Sequence, residues 1–131
     1  MMKKLLNSFI LLSMMQVGLA EQNALQVNLT DIKEIMEFII TPASNTLWGV
    51  DEPSSDKEWR TLEEAAIATI EAGKLIDRNN KDWQGHNKQM IDAAKSALDA
   101  ILSRDLDKLY SANDSLYPPC VSCHEAFHPN M

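Results

Sequence analysis

Little in this sequence favours strands. It has four glycines and five prolines in 131 residues, too few for a turn-rich sandwich or barrel. No run alternates Val, Ile or Thr with polar residues. Aromatic residues make up 6%, so a core must come mainly from aliphatic side chains. Basic residues are also short: 12 Lys and Arg stand against 19 Asp and Glu. They form no run or patch, which makes nucleic acid and anionic membrane surfaces poor partners. Long apolar runs are confined to the beginning, where "MMKKLLNSFILLSMMQVGLA" sets two lysines before an apolar run from Leu5 to Val17.

That stretch ends on Gly18-Leu19-Ala20, a small-x-small cleavage pattern, and its apolar run is too short for a membrane-spanning helix. Residues 1–20 therefore read as a secretory signal peptide. The expected mature domain is residues 21–131, exported to the periplasm with no stable membrane insertion. Losing Lys3 and Lys4 leaves 10 basic against 19 acidic residues, a net charge of −9. Such a surface steers toward a partner protein with a basic docking face, at a rate that falls with ionic strength.

What the mature chain does contain is helical periodicity. Leu29, Ile32, Met36, Ile39, Ile40, Ala43 and Leu47 fall on one arc at 3.6 residues per turn. Asn28 or Thr30 is placed to cap this stretch, with Asp31 in its first turn. Pro42 interrupts it, by a kink or by starting a second short helix. A loop over "GVDEPSSD" leads to a second helix, from about Lys57 to Arg78, with Trp59, Leu62, Ala66, Ile70 and Gly73 on one face. A third, capped by Asp82, carries Trp83, His86, Met90, Ala94, Ala97 and Ile101 and ends near Ser103. A fourth runs from about Asp105 toward Phe127 along Leu106, Leu109, Asn113, Leu116, Tyr117, Cys120, His124 and Phe127. Pro118-Pro119 cannot continue a regular helix. The expectation is a break after Tyr117 and a fresh turn with Pro119 in its first turn. Four amphipathic helices with short connections make an antiparallel four-helix bundle the expected all-α fold.

Both cysteines of the chain and two of its three histidines lie in "LYPPCVSCHEAFHPN", Leu116 to Asn130. Cys120-Val121-Ser122-Cys123-His124 is C-x-x-C-H, the pattern for covalent attachment of a c-type haem. Two thiols add across the two vinyl groups of one porphyrin, and the next residue offers an imidazole to the iron. On a helix, positions 120, 123 and 124 span about 100°, so all three side chains share one side. With so few Cys and His residues the spacing arises by chance on the order of once in a few thousand arrangements. Two rivals stay open. Cys120, Cys123, His124 and His128 offer four zinc donors, but all crowd into one turn and a half, whereas structural zinc sites draw on separated pairs. A disulfide or redox-active dithiol suits an oxidising compartment, though a thioredoxin-like site needs a βαβ setting that this chain lacks.

A C-x-x-C-H close to the C-terminus, behind four helical stretches and a signal peptide, resembles the cytochrome c′ family. Besides "CVSCHEAF", the placement of Met36 in "IKEIMEFI" and the stretches "PASNTLW" and "MIDAA" share in the resemblance. It implies a four-helix bundle with one haem c per chain, thioether links to Cys120 and Cys123, and His124 as the proximal iron ligand. Family members divide by the sixth ligand: some leave it open and bind NO or CO, others place a methionine of the first helix there and carry electrons. Met36 stands at that position, and a thioether ligand raises the reduction potential; as core packing it serves equally well. His86 and Met90 on the third helix are competitors. Where much of the family has an Arg or Lys after the motif, this chain has Glu125, Phe127 and His128, which counts against a proximal gas-binding mechanism using that base. The resemblance also implies a homodimer through the first two helices as one assembly. The expected work is one-electron transfer with a redox partner protein. A five-coordinate gas-binding protein and a haem-free helical module with a zinc or disulfide clip at Cys120 and Cys123 are the alternatives, and no enzyme site is legible.

Overall fold

A computed structural model describes residues 31–127; the signal stretch, Asn28, Leu29, Thr30 and His128 lie outside the described residues. Among the described residues every regular element is helical. The first rod consists of α1 (Ile32–Ile35), a π-helical segment (Met36–Ile40) and α2 (Thr41–Trp48), joined without a gap. Then come α3 (Asp56–Leu75), α4 (Lys81–Leu102) and α5 (Leu106–Phe127).

A short helix does begin at Thr41 with Pro42 in its first turn, but Thr41 is no free-standing cap: Ile40 before it is helical, so α2 continues the preceding segment without a gap. That segment is π-helical, and the Thr41 N–H reaches back five residues to the Met36 carbonyl. Proline clashes with the carbonyl four residues before it, and one wider π turn provides the room. The cap is Asp31, whose carboxylate accepts from the Lys33 N–H at 2.9 Å.

The caps of the other helices are side-chain oxygens of loop residues. Ser55 Oγ accepts from the Glu58 N–H at 3.3 Å, and Glu58 reaches back to the N–H and hydroxyl of Ser54. This is a capping box moved one residue outward. Asn80, rather than the expected Asp82, caps α4, accepting from the N–H groups of Asp82 and Trp83 at 3.0 Å each. Asp82 lies in the first turn, where its charge suits the positive end of the helix dipole. Between α4 and α5, Arg104 takes a left-handed φ of 52°. Its N–H bonds to the Ile101 carbonyl at 3.0 Å and that of Asp105 to Ala100 at 2.9 Å, a Schellman ending with Arg where Gly is usual.

α5 corrects the sequence expectation most clearly. It runs unbroken from Leu106 to Phe127, with Pro118 and Pro119 both inside it. The missing N–H groups release the carbonyls of Asp114 and Ser115, two exposed residues whose carbonyls water can reach. Pro119 itself is buried.

The four rods pack in chain order around one core that includes Ile35, Ile40, Leu47, Leu62, Trp83, Met90, Leu109 and Leu116, with eight alanines between them. Small residues set close spacing at one crossing. A Cβ on Gly73 of α3 would lie 2.6 Å from Ile91 Cγ1 of α4, so only glycine fits there undisturbed. α5 lies on α4, α4 on α3, and α3 on the first rod; the first rod and α5 share no comparable backbone packing. That seam is tied at Asn113. Its side chain donates to the Leu47 carbonyl at 2.6 Å, and its own carbonyl accepts from the Trp48 indole N–H at 3.2 Å.

Candidate functional site

The C-x-x-C-H segment lies wholly within α5, so helical geometry fixes its directions. At 100° per residue, Cys120 and Cys123 fall within about 40° of Leu116, which is 1% exposed. Both thiols thus face the core, and both are half-buried against the core cluster. His124 falls about 80° from that direction, at the edge of the buried face, and is exposed. Val121 is half-buried and Ser122 exposed. The sequence pattern is realised as three adjacent groups, two aimed inward and one at the rim.

Burial sets the chemistry of the thiols. Loss of solvation pushes Cys120 up to about 11, helped by repulsion from a Cys123 thiolate, and burial raises Cys123 as well. A reactive dithiol needs the reverse, a thiolate favoured by nearby positive charge or a helix N-terminus. Here the sulfurs stand near a helix C-terminus, and among the described residues no cation lowers either thiol. The two cysteines are free thiols. Among the described residues no group of three or more His, Cys, Asp or Glu side chains is gathered to hold a metal ion.

Met36 lies on the first rod, half-buried against the same core cluster as the two cysteines. It is in the first position of the π-helical segment, one turn before Ile40, which is 5% exposed. Its height follows from the Asn113 tie: Met36 is eleven residues before Leu47, and His124 eleven after Asn113, in rods of opposite direction. At 1.5 Å per residue each lies about 16 Å from the tie, at one level of the molecule. Met90 is buried on α4. His86 is half-buried, its ring centroid 6.4 Å from that of Phe127.

Comparison of the chain with protein-family models, curated proteins and solved structures finds no match.

Two further features surround the motif. Phe127, three residues after His124, packs edge-on against Trp83 with centroids 5.1 Å apart, and Arg78 covers the other part of that indole at 4.7 Å. Trp83 Nε1 donates to the Ile76 carbonyl at 2.9 Å, so this aromatic group is anchored at the α3–α4 turn. It closes the end of the molecule nearest the motif. Asn87, not His86, holds the buried place in the first turns of α4, and its Nδ2 donates to the Gly73 carbonyl at 2.9 Å. Tyr117 also leaves its expected stripe and is 60% exposed.

Proposed function

We propose that this chain is an exported monohaem c-type cytochrome, a four-helix bundle of the cytochrome c′ kind that carries single electrons. One observation supports it above the rest: an unbroken helix runs through C-x-x-C-H with both thiols turned to an apolar core and kept protonated. The donor set fits a haem. Two neutral thiols share one helix face, an imidazole stands at its rim, and a thioether lies at the same level on the first rod.

Cys120 and Cys123 would hold the group. Their thiols, on one face of α5, would link it through two thioethers, an addition that needs no oxidant. His124, the next residue after Cys123, would offer its imidazole to the iron. A haem bound there supplies one-electron chemistry, its iron passing between the ferric and ferrous states. Met36, Cys120 and Cys123 all pack against the core that includes Ile40, Met90 and Leu116, an apolar setting for the group, with the Trp83–Phe127 pair at the same end. Met36, at the same level on the first rod, would offer its thioether to that iron, which favours the reduced state and electron transfer over gas binding.

The test is spectroscopic. The protein is made in an exporting host that has haem-maturation machinery, and oxidised and reduced spectra are recorded for the native chain and for Met36→Ala. A low-spin spectrum with a methionine–iron charge-transfer band, lost in Met36→Ala, is expected. A high-spin native spectrum that shifts on adding CO overturns electron transfer in favour of gas binding. A chain without haem overturns both in favour of a metal- or disulfide-clipped module.

A further inference from the structure

The outer face of α5 carries a strip of residues that the motif does not use. Asp107, Tyr110, Asp114, Tyr117 and Glu125 are all exposed. At 100° per residue they fall within about 80° of the helix circumference. The centre of the strip lies about 110° around from that of the motif's three side chains, so it borders the motif without overlapping it.

Acid and aromatic residues alternate here for a reason that helix stability does not supply. Tyr117 is 60% exposed and Tyr110 41%, a large apolar area to leave in water. The Tyr117 ring is also held in place. Trp48 packs edge-on against it at 5.7 Å, and the Trp48 indole is itself fixed to the Asn113 carbonyl at 3.2 Å. Rigid aromatic groups ringed by charge have the anatomy of a protein-binding face, since little side-chain freedom is lost on contact.

The charge names the partner's sign. Elsewhere Asp56 pairs with Arg104, Glu71 with Lys74, Asp92 with Lys88 and Asp105 with Lys108. Among the described residues Asp107, Asp114 and Glu125 form no such pair, nor do exposed acids off the strip such as Glu64 and Asp77. The strip is set apart by the two exposed tyrosines among its acids and by having no Lys or Arg within it. A shared divalent cation does not account for them. Asp107 and Asp114 are seven residues apart, about 10 Å along the axis, too far for both to bind one ion. Nucleic acid and anionic lipid are repelled.

We infer that the outer face of α5 is the docking face for a partner protein that presents basic residues around an apolar centre. It rests on the electron-carrier reading only in naming that protein as the redox partner, which the strip would bring beside the C-x-x-C-H motif. Opposite charges speed and orient the encounter, while Tyr117 and Trp48 supply the short-range contact.

The experiment uses the exported full-length product, isotopically labelled, titrated with an oligolysine peptide that has a central phenylalanine. Amide shifts locate the peptide, and affinity is compared between Asp114→Lys/Glu125→Lys and Glu64→Lys/Asp77→Lys, which change the net charge equally. The expected shifts cluster on α5 between Asp107 and Glu125 and at the Trp48 indole. Affinity falls roughly tenfold or more in the strip variant and much less in the other. Tyr117→Ala weakens binding with no change in charge. Equal losses in both charge variants, or shifts scattered over every acidic surface, overturn the inference and leave only diffuse attraction. Haem content is read on the same samples. Strip binding without haem refutes the electron-carrier reading alone, and haem without strip binding refutes the docking face alone.

Discussion

Asn113 of α5 donates its side-chain N–H to the Leu47 carbonyl at 2.6 Å, across 66 residues of sequence. The bond takes up a carbonyl at the C-terminal end of the first rod, where no helical partner remains for it. It also sets the height of the first rod against α5, and so brings Met36 level with His124.

Replacing Asn113 with Ala therefore leaves the Leu47 carbonyl unpaired and releases the seam. The expected cost is about 2 kcal/mol, the usual penalty for stranding a buried polar group. Urea denaturation measures it, and Trp48 fluorescence reports the loosened rod at low denaturant. Unchanged stability would show that the tie is ornamental.

Gly73→Ala sets a gain against a loss. Alanine favours a helix over glycine by up to about 1 kcal/mol, but its Cβ would meet Ile91 Cγ1 at 2.6 Å and Met90 Cε at 3.1 Å. Overpacking costs about 1–3 kcal/mol, so a net loss of about 1 kcal/mol is expected. Ile91→Ala removes the obstructing atoms, and in the double variant the Gly73→Ala change turns neutral or favourable. A double-mutant cycle by thermal denaturation that gives strict additivity contradicts the close crossing.

The thiols make a pH prediction for the haem-free chain. Burial favours the neutral form, so folded Cys120 binds its proton more tightly than the unfolded chain does. That stabilisation is complete below the ordinary 9.0 and is lost as pH climbs toward about 11. Stability measured from pH 8 to 11 should fall, and Cys120→Ala should flatten the fall. Alkylation should be slow at pH 8, with Cys123 reacting before Cys120. Rapid alkylation of both at neutral pH is the opposite result and indicates a reactive dithiol.

α5 keeps two prolines where a helix normally tolerates none. Pro118 is exposed, so Pro118→Ala restores an N–H and removes a clash without disturbing the core. A gain on the order of 1–3 kcal/mol is expected, with slower amide hydrogen exchange from Val121 to His124. A loss would mean that the proline shapes the motif.

These residues also show what was readable in the sequence. The helical stretches and the helical placement of the motif were legible because they depend on neighbours three or four residues away. Cys120 and Cys123 could be put on the face of Leu116 by counting. Pro42 in the first turn of a short helix was one of two readable options, whereas the π turn that joins that helix to the residues before it was not. The break expected after Tyr117 did not occur, because packing carried the backbone through a local penalty. Asn80 capping α4 in place of Asp82 was a choice between adjacent residues of similar chemistry. Asn87 taking the buried place of His86 depends on the carbonyl of Gly73 in another helix, and nothing in α4 announces it.

The most direct test of the central claim is the mass of the exported chain after full denaturation. The expected mass is that of the polypeptide plus one haem, with the addition abolished in Cys120→Ala/Cys123→Ala and the attached group low-spin in the native protein. A denatured chain of bare polypeptide mass, from a host that matures other c-type cytochromes normally, contradicts it.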